Sequence, residues 1–216
     1  MELLNITPEA IEDMNRLYRI NLINSITGFK SANLIGTVDA NKQTNLAVFS
    51  SVTHFGSNPP VIGMVMRPTV VPRHTYENIK STGFYTINHI HQSIITEAHQ
   101  TSAKYDTGTS EFEEVGLTPV FEDGFIAPYV EEAVIRIGMR FQEEVPIKLN
   151  DTILILGTIE QLILPAVLVK KDGWVDLHTA ETVAISGLDT YSKPNPLARF
   201  DYARPAQATK KLEIEE

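Results

Sequence analysis

The run NLAVFSSVTHFGSNPPVIGMVMRP occupies Asn45 to Pro68. It opens with two alternating sets of side chains, Leu46, Val48 and Ser50 on one side and Ala47, Phe49 and Ser51 on the other. A period of two is the pattern of a strand, and we read one over residues 45–52. Small hydroxyls gather at its end, as Ser50, Ser51 and Thr53. Gly-Ser-Asn-Pro-Pro then gives a strong turn signal. A second buried strand follows from Val61 to Met66 and ends at Arg67. Two buried strands thus flank small hydroxyls, a tight turn and an arginine.

Working outward, SANLIGTVD is apolar and rich in strand formers, and Asp39-Ala40-Asn41-Lys42 is its turn. It pairs with the 45–52 strand as a hairpin. Further upstream, Thr7-Pro8 reads as an N-cap with proline at the first helical position, opening a helix over about 8–19. Downstream of Pro68 the period changes. Thr75, Asn78 and Ile79 share one helical face, and Gly83 is the natural stop. FYTINHI is again a strand, a helix begins near Ser93, and Asp106 to Ser110 is a polar loop. From Val130 the chain is mostly strand, with a hairpin turn at Asp172-Gly173 and a last short strand in TVAISG. A tail from about Lys193 lies over the surface or over a partner chain. There is no repeat and no interdomain linker, so residues 1–216 read as a single domain. Strands joined by short connections give a mainly β chain with helical connections, built as an antiparallel barrel.

The net charge is −9 and the pI about 5.2, which argues against nucleic acid or an anionic membrane as partner. The chain has no cysteine, so thiolate nucleophiles, disulfides and cysteine-based zinc sites are excluded. The acidic N-terminus is not a secretory signal, and no apolar window approaches the length of a spanning helix. The cytoplasm is the expected location.

The order of motifs resembles the flavin reductase-like family with the FMN-binding split barrel, the group that includes flavoredoxin. The residues that carry the resemblance are LIGTVD with Thr37, NLAVFSS at Asn45–Ser51, SNPP at Ser57–Pro60, Arg67, HTYENI at His74–Ile79 and INHI around Asn88. SEFEEVGL, APYVEE, DTILILG, KDGW and GLDTY follow in order. The match spans roughly residues 20–192. The chain departs from the pattern at GFKSAN, where relatives carry Arg-Pro, at His74, where they carry an acid, and at IRIGM, where they carry Glu-Cys.

The resemblance implies a flavoprotein oxidoreductase on a split barrel, with FMN as cofactor, FAD as second choice and NAD(P)H as co-substrate. It also implies a homodimer with flavin near the interface. Thr37, Asn45, Leu46, Ala47, Ser50, Ser51, Thr53, Arg67, Arg73, His74, Thr75 and Asn88 become the candidate cofactor-binding residues. Their chemistry suits the ligand. Backbone beside Asn45, Leu46 and Ala47 can approach a ring edge, and the hydroxyls suit ribityl or phosphate oxygens. Arg67, Arg73 and a helix start at His74-Thr75 suit a phosphate. His89 and Lys104 are placed on the substrate rim, facing the charged phosphates of a dinucleotide. The plain alternatives are strand-end hydroxyls, surface arginines, an N-cap at Thr75 and solvated rim residues. His89 and His91 share a strand face but lack a third metal ligand, so no metal is expected. Trp174 reads as packing or dimer contact. No protein nucleophile or acid–base pair is expected, because the flavin carries the chemistry. Two other functions stay open: an FMN electron carrier reduced by a partner protein, and a flavin-free binding or structural dimer.

Overall fold

The computed structural model describes residues 3–106 and 108–214. Thr107, inside the expected polar loop, lies outside the described residues. Two helices come first, α1 (Pro8–Glu12) and α2 (Arg16–Ile26). The Thr7 side chain caps α1 by accepting from the Ala10 N–H, with Pro8 at the first position, as the sequence indicated. The single helix over 8–19 is corrected to two. The Asn15 side chain accepts from the Leu17 N–H at 2.9 Å and starts a new helix, which continues to Ile26.

A short strand β1 (Lys30–Ser31) leads into β2 (Asn33–Val38), β3 (Thr44–Phe49), β4 (Thr53–Ser57) and β5 (Pro60–Met66). Then come α3 (His74–Thr82), β6 (Phe84–His89), α4 (Ile95–Gln100) and α5 (Glu111–Val115). Two-residue strands β7 (Pro119–Val120) and β8 (Tyr129–Val130) precede the long hairpin of β9 (Arg136–Ile147) and β10 (Thr152–Ile163). The main sheet runs β3-β2-β6-β9-β10-β5-β4, and its pairings are antiparallel.

The order of this sheet explains the opening stretch. β3 and β4 are consecutive in the chain yet sit at opposite edges of the sheet. Only Ser50, Ser51 and Val52 separate them, so the sheet must roll until its edges meet. At that seam the Ser51 hydroxyl accepts from the Val65 N–H and donates to the Val65 carbonyl, both at 3.1 Å. One side chain thus stands in for a rung of backbone ladder. The result is a barrel split along one line, with the serine pair on the split. The strand expected to reach residue 52 therefore ends at Phe49, and Thr53–Ser57 forms a strand in its own right.

The rolled sheet encloses one core. Ile35, Tyr85, Ile87, Met139 and Ile155 fill it, with Phe49 and Val52 arriving from the seam and Met64 and Met66 from β5. Each fully buried Ile or Met side chain stabilises by about 1.5–3 kcal/mol relative to exposure. A second core lies on the other face, where Leu34 and Leu46 meet Phe112 of α5 and Ala98 of α4. β2 is covered on both faces, and all six of its residues are buried. At Gly36 a Cβ would strike the Pro128 carbonyl and the Thr86 hydroxyl, so glycine is required there.

The expected face of α3 is the one observed: Thr75, Asn78 and Ile79 are buried, and Gly83 ends the helix at φ 77°. The second expected hairpin is shorter than its pattern suggested. The Asp172-Gly173 turn forms, but around it only the Val169–Val175 bridge pairs. Both edges of β10 are already taken, by β9 and β5, so no ladder position is open to it. The tail lies over the surface, with Arg199–Phe200 paired to Lys211–Leu212. Among the described residues no helix is long and apolar enough to cross a membrane.

Candidate functional site

Six of the residues singled out in the sequence gather where the free edge of β3 meets the start of α3. The Asn45 amide donates to the Thr75 hydroxyl at 3.1 Å, tying strand to helix. The Leu46 N–H faces outward from the sheet and donates to Glu111 Oε2 at 3.0 Å. Glu111 opens α5 and is nearly buried. Burial holds its carboxyl above the usual range, against the pull of the Leu46 amide and the nearby His74 imidazole. The Thr44 and Ser110 hydroxyls, 2.7 Å apart, dock α5 beside it. Arg73 donates through Nε to the Pro68 carbonyl at 3.2 Å, next to Arg67 in the chain.

Two features here suit an anion. The Arg73 side chain does not cap α3; Glu77 Oε1 takes the Arg73 N–H at 3.3 Å, and the N–H groups that follow it in the first turn are left for a ligand. Arg67 is exposed at the end of β5 and has no ion-pair or hydrogen-bond partner among the described residues. The seam adds hydroxyls. Ser50 is half-buried and Thr53 exposed, whereas the Ser51 hydroxyl is engaged by Val65. Ala47 is half-buried within β3.

Other candidates go elsewhere. Thr37 is fully buried, and its hydroxyl accepts from the Asn78 amide at 3.1 Å. Asn88 is fully buried too. Its amide donates to the Leu34 carbonyl and the Thr86 hydroxyl, and its Oδ1 accepts from the Val130 N–H at 3.0 Å. Both serve as struts of the fold: the Asn88 amide is engaged at its N–H groups and its oxygen, and the Thr37 hydroxyl holds α3 through Asn78. Lys104 is exposed in the loop before α5.

His89 lines a cavity of about 410 Å³ at the opposite end of β2, together with Ser31, Asn33 and Trp174. Burial pushes its imidazole down to about 4. It is therefore neutral near pH 7, so its contact with a ligand there would be a hydrogen bond and not an ion pair. His91 is held by the Glu132 carbonyl at 2.8 Å from Nε2. No three His, Asp or Glu side chains gather at metal distance among the described residues. Sequence reasoning missed Glu111 and the cavity around Trp174. The SEFEEVGL motif held a signal for the first, since an acid at a helix start beside an apolar run is placed to meet backbone donors.

Comparisons with known proteins place the fold and the family. A family model described as the flavin reductase like domain matches residues 27–172. A split-barrel protein from Shewanella frigidimarina, assigned to the flavin reductases, is 47% identical with a TM-score of 0.90, covering 93% of this chain and 100% of that one. Component B of nitrilotriacetate monooxygenase from Bacillus cereus shares the fold at 19% identity and a TM-score of 0.80, over 94% of this chain and 100% of that one. Flavoredoxin from Desulfovibrio vulgaris shares it at 21% identity and 0.68, over 83% and 92%. No curated protein matches the chain. With a sheet that splits at Ser50–Val52 and a family model that spans most of the sequence, the chain belongs to the flavin reductase-like family of split-barrel proteins.

Proposed function

We propose that this protein is an FMN-dependent oxidoreductase that takes hydride from NAD(P)H and passes electrons to an acceptor. The observation that carries the reading is a linkage around Arg67: Arg73, at the start of α3, donates back to the Pro68 carbonyl at 3.2 Å, and the Ser51 hydroxyl of the seam is bonded to Val65, two residues before Arg67. A cation, open N–H groups and hydroxyls are the donor set that a phosphorylated ribityl chain requires. Ser50 and Thr53 would meet the polyol, and Arg67, with Arg73 and His74 nearby, the phosphate. The Leu46 amide is occupied by Glu111, so hydrogen bonds to the ring edge fall to backbone closer to the seam. A bound flavin supplies the hydride and electron chemistry, while the protein binds and orients it.

The helix α2 supports a homodimer; flavin near its interface is what the family resemblance implies. None of the helix residues is buried, and Leu17, Tyr18, Ile23 and Ile26 are exposed. A helix that is apolar yet uncovered is suited to a second copy of the chain.

Flavin released by acid and separated by chromatography should be FMN. Arg67→Ala should weaken FMN about tenfold to a hundredfold while leaving riboflavin unchanged, because riboflavin lacks the phosphate. Equal loss for both ligands would place the phosphate elsewhere. Anaerobic mixing with NADH or NADPH should bleach the flavin. If only dithionite bleaches it, the carrier reading holds.

A further inference from the structure

The cavity beside His89 has a chemistry of its own. It is walled by Phe29, Ala32, Trp174, Val175 and Val183, and closed on one side by Pro194 and Pro196 of the tail. Besides His89, its ionisable wall residues are Lys30 and His178, and both are engaged; His178 Nδ1 lies 3.3 Å from the Pro194 carbonyl. The Lys30 Nζ donates to the Asn24 and Gly187 carbonyls at 3.1 and 3.0 Å. No carboxylate and no arginine lines the space. A charged ligand would therefore lose its hydration there without gaining a partner. His89 supplies polarity. Its Nδ1 is sealed from water with no hydrogen-bond partner. A bare lone pair is tolerated in that position better than an orphaned N–H, so the proton belongs on Nε2. The imidazole lines the cavity as a neutral donor. Trp174 gives the wall an aromatic ring, one face of which is covered by the Arg199 guanidinium at 4.2 Å.

We propose that this cavity binds a neutral, planar carbonyl compound of quinone type, held against Trp174 and hydrogen-bonded at one oxygen by His89. About 410 Å³ lies within the range of small-molecule sites. The cavity also shares a wall with the seam, because the Ser31 hydroxyl donates to the Val52 carbonyl at 3.0 Å. Binding itself does not depend on flavin. The assignment of this ligand as the electron acceptor rests on the reading in the preceding subsection.

Trp174 is the only tryptophan in the chain, so its emission reports on this cavity alone. The full-length protein, stripped of flavin, is titrated with menadione while Trp174 fluorescence lifetime and intensity are followed. Saturable quenching with an unchanged lifetime is expected, and added FMN should leave it in place. Naphthoquinone sulfonate, which carries a charge, should bind at least about tenfold more weakly. His89→Phe keeps the ring and removes the donor, and should weaken menadione by about tenfold with an unchanged circular dichroism spectrum. Val175→Phe, at a half-exposed wall position, should abolish saturable quenching by filling the space, and serves where His89→Phe does not fold. Quenching that never saturates, equal binding of the sulfonate, displacement by FMN, or full binding in both variants would each overturn the proposal. A protein that binds menadione in this way but fails to bind FMN would keep the site and discard the flavoprotein reading.

Discussion

Glu111→Ala tests whether the edge strand beside the candidate site is held by a side chain from a distant helix. In the native protein a carboxylate oxygen sits 3.0 Å from the Leu46 N–H, between residues 65 apart in the chain. Leu46 is fully buried and Glu111 nearly so. Removing the acceptor leaves a buried N–H with no partner and loses a hydrogen bond to a charged group, a cost of about 1.5–3 kcal/mol. For a chain of this size each kcal/mol shifts the melting temperature by roughly 2–4 °C, so calorimetry at pH 7 should show a fall of roughly 3–12 °C. Glu111→Gln keeps an acceptor and changes the pH dependence. The folded-state pKa of Glu111 is raised, chiefly by burial. Over the interval above its ordinary value the folded state then holds more protons than the unfolded one, so this group's contribution to stability falls as pH rises through it. The stability of wild type minus that of Glu111→Gln should therefore decline as pH rises through that interval, because glutamine does not titrate. An alanine variant that melts within about a degree of wild type would refute the reasoning. So would a wild-type curve parallel to that of the glutamine variant.

Three further outcomes follow from the same geometry. Ser51→Ala removes both seam hydrogen bonds to Val65 and should cost about 1–2 kcal/mol in denaturant unfolding; an unchanged midpoint would mean that the seam holds without them. Arg199→Ala removes the ion pair to Asp172 at 2.6 Å and the cover over Trp174, so Trp174 emission should shift to the red, and an unmoved spectrum would show the tail packed independently of Arg199. Ile23→Asp, on the exposed face of α2, should convert a dimer seen by light scattering at micromolar protein into a monomer; a dimer that persists would put the interface elsewhere.

Local pattern alone made several elements legible. The period-two run at Leu46–Phe49, the turn at Asp39–Lys42 and the face formed by Thr75, Asn78 and Ile79 follow from neighbours a few residues apart, so the sequence shows them directly. The family was legible as well, because the motifs recur in a fixed order over most of the chain. What the sequence by itself did not decide is which of those residues have a hydrogen bond to spare. Thr37 and Asn88 carry the polar groups a ligand would need, yet they engage partners 41 to 54 residues away. Strand order was hidden for the same reason. β3 and β4 look like one interrupted strand until the sheet closes and sends them to opposite edges. Likewise Trp174 reads as a hairpin residue until folding brings it to the cavity beside His89. Short-range periodicity fixes the elements, whereas burial, a shifted pKa and a shared cavity arise between residues that only the closed barrel brings together.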